Sequence, residues 1–230
     1  MGKGIFIVGT STDVGKTYVS GLLTKYFFDL GYKSVYYKAA MSGNKKENGV
    51  ILPGDGIKVK NISNILQNIE SMCPFVYEKA YSPHLAAIVE KKPVKFDKIK
   101  KNFLSLAKKS DFLTMEGSGG IICPINIDEN FFLFDIIKAL DLPCIIVSDL
   151  ELGSINSACL TYFFMKEKSI KTSGIIFNGY DKKNIIHEDN IKIILNFTNL
   201  PLLAKVKFND KNIIFEKNID IKNIYKEIAF

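Results

Sequence analysis

The stretch Gly9-Thr10-Ser11-Thr12-Asp13-Val14-Gly15-Lys16-Thr17 carries the residue types that hold phosphate. It follows the apolar run Ile5-Phe6-Ile7-Val8 and precedes a helical pattern. A phosphate loop asks for G-x-x-x-x-G-K-[ST] between a strand and a helix. Gly15-Lys16-Thr17 fits the second half. The first glycine, Gly9, stands one residue early, so Thr10 takes its usual place. The physics tolerates this shift. Backbone N–H groups from Thr12 through Val14 and Gly15 to Thr17 can wrap an anion, and the following helix turns its positive end toward it. Lys16 would reach the β- and γ-phosphates, and the Thr17 hydroxyl would face Mg²⁺. The plain alternative, a strand-to-helix turn, leaves the Gly-Lys-Thr order unexplained.

Three more polar residues close hydrophobic runs: Lys38 after "SVYY", Glu116 after "DFLTM" and Asn178 after "SGIIF". Taken singly, the lysine could snorkel at a sheet edge and the glutamate could cap a turn. In an open α/β sheet, however, strand carboxyl ends face one ligand crevice. Together with a phosphate loop, the three point to one site. Glu116 can hold Mg²⁺, and Asp55, in the loop-like stretch 42–58, can add a second carboxylate. Gly153-Ser154-Ile155-Asn156 opens a helical pattern, and its free N–H groups suit a carboxylate. Ordinary N-capping by Ser154 is the plainer reading of the same residues.

These residues need a frame, and the pattern supplies it. Strand-like runs at 4–9, 34–38, 111–116, 144–149, 173–178 and 202–206 alternate with helical patterns at 16–31, 59–68, 96–109, 133–140, 154–167 and 184–196. Runs such as "CIIV" and "GIIF" are apolar on both faces, as buried parallel strands are. The alternation predicts a single α/β domain over 1–230, a doubly wound, mostly parallel sheet with helices on both faces, of the P-loop NTPase type. The last segment, "DIKNIYKEIAF", places Ile221, Ile224, Tyr225 and Ile228 on one helical face behind a capping Asp220. Docking on the protein's own core is the commoner use of such a face, ahead of a membrane.

Composition narrows the function. The chain of 230 residues is 47% hydrophobic and 24% charged, with a net charge of +7. That balance is globular. No apolar run spans a bilayer, and the first residues lack a signal-peptide build or a myristoylation site, since Phe6 stands where Ser or Thr is wanted. A cytoplasmic protein is the expectation. All basic residues are lysine, scattered along the chain; there is no arginine. Missing guanidinium forks argue against a nucleic-acid partner. They also mean that lysines must neutralise phosphate charge, because no arginine finger can come even from a second copy of this chain. Cys73, Cys123, Cys144 and Cys159 lack metal-ligand spacing, and with only His84 and His187 a zinc site is not expected. Buried reduced thiols are.

The stretches "GTSTDVGKT", "KAAMSG", "YSPHLAA", "EGSGGIICPI", "ELGSINS" and "IIFNG" occur in the order and approximate spacing of dethiobiotin synthetases. Over roughly residues 4–180 the chain resembles that family. The resemblance implies an ATP- and Mg²⁺-dependent ligase that closes the ureido ring of dethiobiotin from 7,8-diaminononanoate and CO₂, through a carbamate and a carbamic–phosphoric anhydride. It puts Lys16 on the phosphates, Lys38 near carbamate and γ-phosphate, Thr12 and Ser42 beside them, and Thr17, Asp55 and Glu116 at Mg²⁺. It puts Asp13, Val14, Gly15 and Tyr18 at the nucleotide and Asn178 at the adenine edge. It further implies a homodimer in which Gly153, Ser154, Ile155 and Asn156 hold the substrate carboxylate of the other subunit's site. His84, in the family-like turn "SPH", has no chemistry assigned and reads as structural. The chain departs from the family in lacking the proline after Lys38, in carrying Ser118 for the usual alanine, and in lacking the Gly and Pro of the late loop, here "PLLAKVKFND". Two other readings keep the phosphate loop: another P-loop amidoligase, and a nucleotide-dependent switch or partition-type ATPase. The latter proteins often carry an extra lysine early in the loop, where this chain has Ser11 and Thr12.

Overall fold

In the computed structural model, which describes residues 2–229, the chain runs β1 (Lys3–Gly9), α1 (Lys16–Asp29), β2 (Ser34–Lys38), a small hairpin of β3 (Lys46–Glu47) and β4 (Val50–Ile51), and α2 (Gly54–Ser63). A 3-10 turn at Ile69–Ser71 leads to α3 (Pro83–Val89), α4 (Phe96–Ala107) and β5 (Phe112–Gly120). Then come β6 (Pro124–Asn126), β7 (Phe131–Phe132), α5 (Leu133–Leu140), β8 (Cys144–Ser148), α6 (Ser154–Glu167), β9 (Thr172–Asn178), α7 (Ile185–Thr198), β10 (Leu202–Val206), α8 (Ile221–Ile224) and β11 (Lys226–Glu227).

The sheet order is β10-β9-β8-β1-β5-β2, all parallel, with β11 added antiparallel to the start of β1. β1 lies inside, and Ile5, Phe6, Ile7 and Val8 are fully buried. Alternation sends Phe6 and Val8 to one face and Ile5 and Ile7 to the other. Phe6 and Val8 join the core with Tyr37, Phe103, Met115 and Ile136. Ile5 and Ile7 join Val19, Leu23, Phe27 and Tyr225 on the α1 side. The expected doubly wound parallel sheet is therefore present, with helices on both faces.

β2 forms one edge of the sheet. Gln67 covers part of that edge: the Tyr36 N–H donates to its Oε1 at 2.8 Å, and its Nε2 donates to the Tyr36 carbonyl at 2.9 Å. Backbone groups that would otherwise lie open to a foreign strand are thus paired.

Four expectations change. The helix expected over 59–68 is instead α2, Gly54–Ser63, ended by Asn64 in the left-handed conformation. The start was hidden by two glycines that read as loop. At Gly56 a Cβ would lie 3.1 Å from the Met72 sulfur, so close packing accounts for that glycine. Asp55 accordingly sits in the first turn of a helix rather than in a loop. β5 continues past Glu116 to Gly120, so Glu116 lies within the strand. The C-terminal helix is one turn, Ile221–Ile224, followed by β11. Asp220 does cap it, accepting from the Lys222 N–H at 3.0 Å. Ile221, Tyr225 and Ile228 are buried on the sheet, and the Tyr225 hydroxyl pairs with Thr114 Oγ1 at 2.7 Å. The apolar face therefore docks at home. No helix among the described residues is long and apolar enough to cross a membrane.

Candidate active site

Gly9 ends β1, and the loop to Gly15 turns the chain into α1. Asp13 and Gly15 both take positive φ, at 62° and 91°. At Gly15 a Cβ would lie 2.1 Å from Asn178 Nδ2, which itself donates to the Val14 carbonyl at 3.2 Å. Only glycine fits there. Gly9 has its own reason. A Cβ on it would lie 2.7 Å from Lys16 Nζ, which crosses the loop to the Ser11 carbonyl at 2.6 Å. The early glycine therefore makes room for the loop lysine.

Lys38 and Glu116 are register partners on neighbouring parallel strands, with Lys38 Nζ 2.7 Å from Glu116 Oε1. The same ammonium lies 2.6 Å from Asp55 Oδ2. Thr17, in the first turn of α1, donates to Glu116 Oε1 at 2.9 Å and stands 3.3 Å from Asp55 Oδ1. Thus Lys38, Thr17, Asp55 and Glu116, far apart in sequence, form one cluster. They line a cavity of about 650 Å³ with Thr12, Asp13, Gly15, Lys16 and Ser42.

The charges are mutually adjusted. Burial by itself would lower the Lys38 pKa, but Glu116 and Asp55 outweigh it and the net shift is upward. Burial opposes ionisation of Asp55, yet the Lys38 ammonium and the hydrogen bonds from Lys38 and Thr17 bring its carboxyl below the ordinary value. Lys16 is shifted down, chiefly by burial and also by Lys38, against the pull of Glu116. A polyanion entering the cavity would meet two lysines and relieve their crowding.

The donor set of Thr17, Asp55 and Glu116 is all oxygen, as a hard divalent cation requires. A cationic ammonium already bridges the two carboxylates, so the geometry accepts positive charge at that point. Among the described residues no group of three or more His, Cys, Asp or Glu gathers to hold a metal ion, here or elsewhere; this set offers two carboxylates and one hydroxyl.

Other expected residues lie apart from the cavity wall. The Tyr18 hydroxyl donates to the Asp210 carbonyl of the late loop, and Asn178 pairs with Val206 across β9 and β10. Gly153, Ser154, Ile155 and Asn156 do not line the cavity. The expected alternative role of Ser154 as cap fails: Gly153 stands at the cap with φ 94°, and Ser154 is buried, its Oγ accepting from Asn190 Nδ2 at 3.0 Å. Asn190 also reaches the Leu150 carbonyl at 2.8 Å, so α7 holds the start of α6. His84 lies in α3, behind Pro83, and does not line the cavity. Cys123 and Cys159 are half-buried rather than buried; Cys123 lines the cavity, and burial pushes its thiol up to about 11.

The sequence reading missed Lys58, Tyr81, Ser82 and Ser118 in the cavity wall, and Tyr36 behind it. Tyr36 was accessible in principle, because it lies two residues before Lys38 and so on the same strand face. Ser118 follows Glu116 by two residues on the same strand. Its hydroxyl donates to the Ala40 carbonyl at 2.8 Å. Ser118 thereby ties β5 to the Lys38–Gly43 turn.

Comparison with known proteins adds the family. A model described as an AAA domain matches residues 3–212. An ATP-dependent dethiobiotin synthetase of Brachyspira hyodysenteriae is 44% identical, over 93% of this chain and 98% of that protein. Another from Clostridium novyi is 40% identical, over 100% of this chain and 96% of that protein. The chain belongs to the ATP-dependent dethiobiotin synthetase family. The fold is shared more widely. A ParA family ATPase from Chlorobium tepidum matches with a TM-score of 0.53 at 14% identity, over 90% of this chain and 84% of that one. A MinC:MinD complex from Aquifex aeolicus matches with a TM-score of 0.54 at 14% identity, over 91% and 83%. At that identity the likeness concerns the P-loop fold alone, and partition or switch activity does not follow from it.

Proposed function

We propose that this chain closes the ureido ring of dethiobiotin from 7,8-diaminononanoate, CO₂ and ATP. The observation that carries the reading is the convergence of Lys16, Lys38, Thr17, Asp55 and Glu116 on one cavity. The N7 amine captures CO₂ as a carbamate and releases a proton. The carbamate oxygen attacks the γ-phosphate and ADP leaves, giving a carbamic–phosphoric anhydride. The N8 amine then attacks the activated carbon, the ring closes and phosphate departs.

The protein's share is position and charge. Backbone N–H groups of the loop from Thr12 to Thr17 cradle the phosphates, with Asp13, Val14 and Tyr18 bordering the nucleotide. Lys16 and Lys38 take up the charge that develops during phosphoryl transfer, in a chain without arginine. Thr12 and Ser42 orient the carbamate. Thr17, Asp55 and Glu116 would hold Mg²⁺, whose chemistry there is to neutralise phosphate oxygens. Asn178 faces the adenine edge.

Gly153 to Asn156 would serve the second subunit of a homodimer by holding the substrate carboxylate at the start of α6. Exposed Leu152, Leu160 and Phe163 around that helix support burial against a partner. The reading takes residues 1–230 as one P-loop domain that works in the cytoplasm on small molecules, without nucleic acid or membrane.

The test is phosphate release with ATP, Mg²⁺ and bicarbonate, with and without 7,8-diaminononanoate. Release that requires the diamine and disappears in Lys16→Ala is expected. Nucleotide binding without any diamine-dependent release would sink the assignment of substrate.

A further inference from the structure

Tyr36 is fully buried, on the same face of β2 as Lys38. Its ring packs with Met41, Val59, Ile65 and Met72. Its hydroxyl donates to Glu116 Oε2 at 2.7 Å. The other carboxylate oxygen, Oε1, receives both Thr17 Oγ1 and Lys38 Nζ, at 2.9 and 2.7 Å. The two oxygens of Glu116 are therefore divided. One is turned to the cluster at the cavity, and the other is tied to a phenol in an apolar surround.

Turning the carboxylate so that both oxygens face one cation would break the phenol bond. It would leave a hydroxyl without a partner among hydrophobic side chains, which is costly. Ca²⁺ takes six to eight oxygens and readily uses a carboxylate in bidentate fashion, whereas Mg²⁺ is satisfied by single oxygens in a small octahedron. We propose that Tyr36 is a positioning residue that confines Glu116 to one-oxygen ligation and so biases the site toward Mg²⁺ over Ca²⁺. The inference rests on the reading of Thr17, Asp55 and Glu116 as the cation-holding set. The competing account is that Tyr36 merely fills the space between β2 and α2. A space-filling tyrosine has no effect on the choice of cation.

The test is calorimetric binding of a non-hydrolysable ATP analogue to the full chain, in saturating Mg²⁺, in saturating Ca²⁺ and in EDTA. The readout is the ratio of analogue affinities in Mg²⁺ and Ca²⁺. In Tyr36→Phe the wild-type preference for Mg²⁺ falls by about tenfold or more, the scale of losing a hydrogen bond to a charged group. Incorporating 4-fluorophenylalanine at position 36 gives the same fall while filling the hydroxyl's volume without a donor, and it serves if the Phe variant does not fold. An unchanged ratio in a folded variant overturns the inference alone. Equal affinity of the wild type in EDTA and in Mg²⁺ overturns the cation reading, and the inference with it.

Discussion

Lys38 and Glu116 face each other across adjacent parallel strands, and the lysine ammonium sits between Glu116 and Asp55, where a second cation would compete for the same oxygens. The ammonium offsets part of the charge of the two carboxylates. In the proposed reaction, moving Lys38 toward a phosphoryl group would uncover both carboxylates, so arrival of nucleotide charge and release of Lys38 would be coupled through electrostatics.

That pairing sets the expected behaviour of Lys38→Ala. Glu116 is buried and would lose its cationic partner. Removing one member of a buried pair typically costs about 3 kcal/mol or more. Urea unfolding should show a loss on that scale, together with loss of diamine-dependent phosphate release. The double variant Lys38→Met with Glu116→Gln should recover much of the stability and none of the turnover. Equal instability in the double variant would show that the charge left behind is not the cause.

Gly15→Ala should abolish nucleotide binding. The position has φ 91°, and the added carbon would meet Asn178 Nδ2 at 2.1 Å. Strain of this kind costs on the order of 1–3 kcal/mol before the collision is counted. Calorimetry with an ATP analogue and a thermal melt would measure the two effects separately. Retained affinity would mean that the loop can rearrange around Asn178.

Asn190→Ala should act on the substrate selectively. The asparagine holds the Leu150 carbonyl and Ser154 Oγ at the start of α6, away from the nucleotide cavity. If that helix start receives the substrate carboxylate, KM for the diamine should rise about tenfold while KM for ATP stays put, as expected for losing one or two hydrogen bonds. A rise in both constants would instead indicate general loosening of the fold.

Ser118→Ala should be mild. It removes one hydrogen bond to Ala40, worth about 1 kcal/mol. The chemical denaturation midpoint should shift accordingly. A neutral result would mean that the Lys38–Gly43 turn holds itself.

Acid should weaken the fold through Asp55. Its carboxyl lies below the ordinary value of 3.8, because Lys38 and Thr17 favour the ionised form more than burial disfavours it. A depressed folded pKa gives stability that is present above the unfolded value and lost as pH falls through the folded one. Lys38 is shifted the other way, so its share is present below its ordinary 10.5 and is lost only at still higher pH. Stability should therefore fall below about pH 4 and stay level through neutrality. Asp55→Asn should flatten the acid limb, measured by urea unfolding across that range.

The sequence by itself determined the phosphate loop, the parallel sheet and the cast of charged residues. Apolar runs such as 144–149, observed as β8 over Cys144–Ser148, are legible because burial on both faces leaves a continuous hydrophobic signature. The Gly-Lys-Thr turn read correctly because its chemistry is local. What failed were features whose cause lies elsewhere in the chain. The start of α2 was hidden because Gly56 answers to Met72, and the last segment became a single turn and a strand because the start of β1 offered an open edge to pair. Only the tertiary structure decided that Asp55, Thr17, Lys38 and Glu116 meet at hydrogen-bond distance, and that Tyr36 takes the second oxygen of Glu116. Strand register and helix placement set those distances, and both arise from packing between residues far apart in sequence, which no local pattern encodes.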